Sequence, residues 1–156
     1  MSTATAETKP TTIILGTPGQ RLRKLFEEFG RGDEAAILDE GQAIYADGMR
    51  FQDPMQTIDG RPEYLAMCRR LLQRSKAIRF DVHSLVETPT ELFMAWRMDM
   101  QPKLGPRVVA EGATHCRLDP SGKIVWHRDY WDLVGDVVGR VPLLGRLWRG
   151  VVKRFG

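Results

Sequence analysis

A chain of 156 residues, 42% hydrophobic and 28% charged, fits one globular domain with a real core and leaves no room for two. A net charge of +3 and a pI near 9.1 are only mildly basic, and no RNA-binding aromatic signature accompanies them, so nucleic acid is not an expected partner. Two cysteines, Cys68 and Cys116, are too few for a disulfide scaffold and point to a reduced, cytoplasmic setting.

The opening stretch MSTATAETKPTTIILGTPGQ has no basic region, and its apolar run is only residues 13–15. Neither a signal peptide nor a membrane span is expected there, and residues 1–18 read as a flexible tail. GTPG lacks the GxGxxG spacing and no Walker lysine follows, which argues against a phosphate loop. Leu22, Leu25, Phe26 and Phe29 then recur at helical spacing until Gly30 and Gly32 stop the run, and Asp33 can cap a second helix reaching Ala46. GMRFQDP reads as a short strand ended by Pro54. The stretch 57–75 reads as a third helix with Pro62 near its start and Leu65, Met67 or Cys68, Leu71 and Leu72 on its apolar side.

After Ser75 the period changes from about 3.6 to 2. AIRFDVHSLVE, TELFMAWRMDMQP, RVVAEGATHCRL and KIVWHRDYWD read as four strands separated by turn residues, so each is expected to pair antiparallel with the next. In the last of them, alternation sends Trp126, Arg128 and Tyr130 to one face and His127, Asp129 and Trp131 to the other, so one face must bury charge. Leu144, Leu147, Trp148, Val151, Val152 and Phe155 form an apolar stripe opposite Arg146, Arg149, Lys153 and Arg154. That pattern predicts a basic amphipathic helix over 135–156, which either docks on its own protein or lies on an anionic membrane surface.

The order helix, helix, short strand, helix, four long strands resembles the nuclear-transport-factor-two-like cone, which includes ketosteroid isomerase, SnoaL-type polyketide cyclases and limonene epoxide hydrolase. The marks are FQDP at 51–54, Gly60 opening the third helix, and the ending GKIVWHRDYWD, spanning roughly residues 20–132. The resemblance implies an α+β fold: a curved antiparallel sheet wrapped around the N-terminal helices as a cone with an internal pocket, a cystatin-like α+β barrel over 19–134. It also implies no cofactor, a homodimer formed through the outer sheet face, and a small, mostly apolar ligand.

The same resemblance supplies roles. RMD at 97–99 and HRDYWD at 127–132 are similar to the epoxide hydrolase motifs, mapping an arginine, an acid and a base onto Arg97, Asp99 and Asp129. Opening an epoxide needs one carboxylate and one carboxylic acid near neutral pH, which an intervening guanidinium would help to split. Phe51 and Asp53 stand where that branch carries a tyrosine and an asparagine. In the ketosteroid isomerase pattern Asp53 would instead be the base, whereas the cyclases rely on the aspartate of a His-x-Asp ending, here His127 and Asp129. His127, Phe51, His115, Trp96 and Trp131 would meet the substrate, and no spacing suggests a metal site. Plainer roles stand beside these: Asp53 as a turn former, Asp132 as a helix cap, and Arg97 with Asp99 or Asp129 as a structural ion pair. The expected function is acid/base hydrolysis, isomerisation or cyclisation through Asp129; the alternative is a noncatalytic ligand-binding or dimeric interaction module.

Overall fold

Pro18 and the polar residues around it start the first helix. The Thr17 hydroxyl accepts from the Gln20 amide at 3.3 Å, and proline fits the first turn because its missing N–H has no helical partner there. Helix α1 (Pro18–Arg31) ends at Gly32, whose φ of 69° is the left-handed conformation that closes a helix. Asp33 caps α2 (Glu34–Ile44), accepting from the Ala36 amide at 3.0 Å. The computed structural model describes residues 16–137 and, beyond them, only Arg146, Gly150, Lys153 and Arg154.

The second helix stops two residues short of the expected Ala46, because β1 (Tyr45–Gln52) begins at Tyr45 and enters the sheet beside Ile124. Arg61 secures this change of direction by donating to the carbonyls of Gln42 and Tyr45 at 3.2 and 3.0 Å. A three-residue strand, β2 (Thr57–Asp59), occupies what reads in sequence as the start of the third helix. Gly60, at φ 90°, separates the two, so α3 runs Arg61–Arg74.

Strands β3 (Ser75–Glu87), β4 (Glu91–Pro102), β5 (Val108–Leu118) and β6 (Ile124–Trp131) pair antiparallel in succession, as their spacing predicts. The sheet order is β2-β1-β6-β5-β4-β3, an open sheet with edges at β2 and β3 rather than a closed barrel. Strand β1 joins it parallel to β6. Register shifts between Ser75 and Ala77, between Val82 and Ser84, and between Arg117 and Leu118 curve it, since a bulge bends a strand and increases its twist. The helices fill the concave side with Leu22, Leu25, Phe26, Phe29, Ile37, Leu65 and Cys68, against Met94, Trp96, Cys116 and Ile124 of the sheet.

Asp132 caps the short α4 (Leu133–Asp136), accepting from the amides of Val134 and Gly135. Of the basic amphipathic helix expected over 135–156, all but residues 135–137, Arg146, Gly150, Lys153 and Arg154 lie outside the described residues. No helix among the described residues is long and apolar enough to cross a membrane.

Candidate functional site

The pleat of β6 delivers His127 and Asp129 to the concave face, opposite Cys116 and Thr114 of β5. His127 is fully buried, whereas the Asp129 side chain keeps 16% of its surface exposed, so the carboxylate is where solvent meets the network. His127 Nε2 lies 2.9 Å from Asp129 Oδ1, and the Thr114 hydroxyl donates to the same oxygen at 2.5 Å. Trp96 Nε1 donates to Thr114 at 2.8 Å. An indole N–H can only donate, so the threonine accepts from Trp96 and its single proton is directed at Asp129. Oδ1 is thereby fixed from two sides, and Oδ2 receives no donor among the described residues.

On its other nitrogen, His127 Nδ1 meets the Tyr45 hydroxyl at 2.8 Å, and Tyr45 shares a 3.1 Å hydrogen bond with Tyr64. Tyr45 and His127 are 82 residues apart and meet only because β1 lies beside β6. Phe26, Phe51 and Tyr64 pack around the imidazole with ring centroids 5.1 to 6.4 Å away, so the cone is filled, not hollow, at His127. Trp96 lies over Gly112: a Cβ there would come within 2.4 Å of the indole, so only glycine lets the ring sit flat enough to reach Thr114.

Burial of this depth pushes both tyrosine hydroxyls and both thiols up, Cys68 to about 12. For His127 burial works against the charged form, but Cys116 and Asp129 outweigh it and the net direction is up, to about 10. With the Cys116 thiol itself pushed up, the anion that holds the imidazolium near neutral pH is the Asp129 carboxylate.

Other residues singled out in the sequence are not brought to this network. Arg97 and Asp99 point from β4 to the convex face. Met94, Trp96, Met98 and Met100 alternate with them and claim the interior. Arg97 pairs with Glu111 at 3.1 Å, and Asp99 receives both arms of Arg107, which holds its carboxyl below the usual range. Neither is within reach of Asp129, so the expected triad of Arg97, Asp99 and Asp129 does not form. Asp53 terminates β1: its Oδ1 accepts from the amides of Met55 and Gln56 at 2.7 and 2.9 Å, the plainer role of turn former. His115 lies on the convex face, stacked on Phe93 at 4.1 Å and 3.3 Å from Glu91 Oε1. Phe51, Trp96 and Trp131 do lie on the concave side, Phe51 directly beside His127 in the ladder.

Tyr45, Tyr64 and Cys116 were not singled out in the sequence as site residues. Cys116 carried a signal, since it faces His127 once β5 and β6 are paired as a hairpin around DPSG. Tyr45 carried none, because a parallel pairing leaves no local trace. Among the described residues no cluster of His, Cys, Asp or Glu could hold a metal ion.

An open α+β sheet curved around three helices, with an aspartate–histidine pair on its concave face, defines a protein of the NTF2-like cone class. Residues 22–127 match the SnoaL-like domain, and the chain belongs to that family. Among solved structures it is similar to an NTF2-like protein of unknown function from Exiguobacterium sp. 255-15, at 24% identity and TM-score 0.64 over 74% of this chain and 98% of that one. An LEH-like epoxide hydrolase of M. tuberculosis matches at 18% identity and TM-score 0.64, over 86% of this chain and 92% of that one. A proposed SnoaL-like polyketide cyclase from Jannaschia sp. CCS1 matches at 17% identity and TM-score 0.59, over 74% and 88%. Identities this low speak to the fold alone. No curated protein matches the sequence.

Proposed function

We propose that this chain binds a small, mostly apolar molecule on the concave face of its cone and moves a proton on it through Asp129, in an isomerisation, cyclisation or hydrolysis. The observation that carries this reading is the carboxylate whose Oδ1 is held by His127 and Thr114 while Oδ2 has no donor. A fixed carboxylate with one free oxygen at the solvent margin of an apolar interior is the arrangement a general base requires. His127 and Thr114 are positioning residues; half-buried Trp131 supplies apolar surface, with the buried Phe51 and Trp96 packed behind the pair. Arg97 and Asp99 have no part in it, so an epoxide opened by an arginine-bridged acid and base is the least favoured of the three reactions.

The test is a panel of apolar epoxides, β,γ-unsaturated ketones and β-dicarbonyl compounds, with the wild type and Asp129→Asn compared. Turnover in one class that falls at least about 100-fold in the variant, assayed at a temperature and pH where both proteins are folded, is the expected result. Equal turnover in both proteins rejects Asp129 as the base. The noncatalytic reading draws on the complete burial of His127 among aromatic rings, which leaves little room beside it. It predicts that Asp129→Asn changes ligand affinity and no rate.

The convex face supports a second copy of the chain as partner. Phe93 and Val86 are 48% and 64% exposed there, beside His115 and Trp126, and apolar surface of this kind is ordinarily covered. Light scattering after size exclusion reads the mass directly: a dimer that Phe93→Glu converts to a 17.7 kDa monomer is expected, and a monomeric wild type at micromolar concentration rejects it. The basic segment beyond Val137 is tested by flotation on anionic vesicles: salt-sensitive binding lost on truncation supports a membrane role, and none supports docking on the protein.

A further inference from the structure

An opening lies away from Asp129, at the margin of the sheet where the end of α1, the start of β3 and the end of β4 converge. It encloses about 650 Å³, within the range of about 300–1,000 Å³ typical of small-molecule pockets. Its floor is apolar, made by Phe29 and Ile78, both 5% exposed, and by Leu72. Its rim carries Arg31, Lys76, Arg79 and Arg107, with Asp99 as the acid among them.

The cations are not equivalent. Arg107 is consumed by its two-armed pairing with Asp99, and Arg31 is paired with the buried Glu28. Arg79 gives one nitrogen to Asp81 at 2.7 Å and keeps its other donors; its stem lies against Gly30, which places it over the cleft. Lys76 forms no ion pair among the described residues. The end of α1 offers carbonyl oxygens, which repel an anion, so a negative group would settle on the β3 side, between Lys76 and Arg79.

We infer that this cleft is a binding site for an amphipathic organic anion, a carboxylate with an apolar tail, its head between Lys76 and Arg79 and its tail on Phe29, Leu72 and Ile78. The charge is what separates this occupant from a neutral apolar molecule: a floor of three side chains would take either, but an uncompensated lysine beside a half-committed arginine discriminates. The inference is independent of the chemistry proposed for Asp129.

Octanoate and 1-octanol serve as the probe pair, followed through amide resonances of the full chain. Octanoate is expected to shift Gly30 and Ala77 saturably, at least tenfold more tightly than octanol, and to weaken in 0.5 M salt. Lys76→Glu, an exposed position, is expected to cost octanoate at least tenfold and leave octanol unchanged; Lys76→Arg restores it. Asp129→Asn leaves both titrations as they were, which separates this site from the concave face. Equal affinity for the two probes overturns the inference. So does insensitivity to Lys76→Glu, or shifts centred on His127, or no saturable shift up to about 10 mM, the range expected of so small a ligand.

Discussion

Strands β4 and β6 each place a carboxylate two residues from a basic side chain, Arg97 with Asp99 and His127 with Asp129, yet deliver them to opposite faces of one sheet. In β4 the alternate positions are Met94, Trp96, Met98 and Met100, and burying them sends the charged pair to solvent. In β6 the alternate positions are Trp126, Arg128 and Tyr130, which also want cover, but they lie on the convex face while His127 and Asp129 go inside. β4 follows hydrophobic patterning and β6 departs from it at Trp126 and Tyr130. Where a strand leaves two of its three aromatics on the convex face and turns a carboxylate and an imidazole inward, the local rule has yielded to something else, and such a place is where function is to be sought.

The sharpest way to break this contrast is to remove the buried histidine. His127→Ala strips Asp129 and Tyr45 of their shared partner and leaves a cavity, and a loss of about 3–5 kcal/mol in urea unfolding is expected. A loss under 1 kcal/mol would place the pair in the same class as the exposed one. Thr114→Val leaves the Trp96 N–H buried without an acceptor, for about 1–3 kcal/mol, and Thr114→Ser should recover most of it.

The pH dependence of stability sharpens the comparison further. Raised from 6.5 to about 10, His127 contributes stability fully present below about 6.5 and lost progressively as pH rises toward 10. The buried thiols and phenols begin to add their own loss only near their unfolded values of 9.0 and 10.0. The window from about 6.5 to 8.5 therefore reports His127. A decline of about 1 kcal/mol per pH unit is expected there, and Asp129→Asn should flatten it; an unchanged slope in the variant would remove Asp129 as the cause. The smallest effect belongs to β4: Asp99→Asn breaks an exposed pair and should change stability by no more than about 0.5 kcal/mol.

Much of the fold was legible because it is local. Helical spacing marks Leu22, Leu25 and Phe26, and four strands joined by short turns can hardly pair otherwise than in succession. The opening of α3 differs from the sequence reading because β2 is three residues long and defined by its pairing with β1, which no periodicity announces. For the site, parity showed that Arg97 and Asp99 share a face, as do His127 and Asp129, but parity does not say which face is inside. For β4 the methionines did say it. For β6 the aromatic residues stand on both faces, Trp126 and Tyr130 on one and Trp131 on the other, so the expectation that His127 and Asp129 face inward came from the resemblance, and the ladder from Phe51 to His127 and from Thr114 to Asp129 is what places them there.

The parallel seating of β1 against β6 also orders events in time. Strand β1 is made early in synthesis, but the neighbour that holds it on that side is the last strand of the sheet, so β1 must wait for nearly the whole cone before its ladder can close. Closing so long a loop is slow compared with forming the hairpins of β3 to β6. The Tyr45 contact to His127 is therefore among the last to form in a nascent chain. Until then the network is half-assembled, with Trp96, Thr114, Asp129 and His127 already joined within β4 to β6, and the imidazole gains its second partner in the step that seals the sheet.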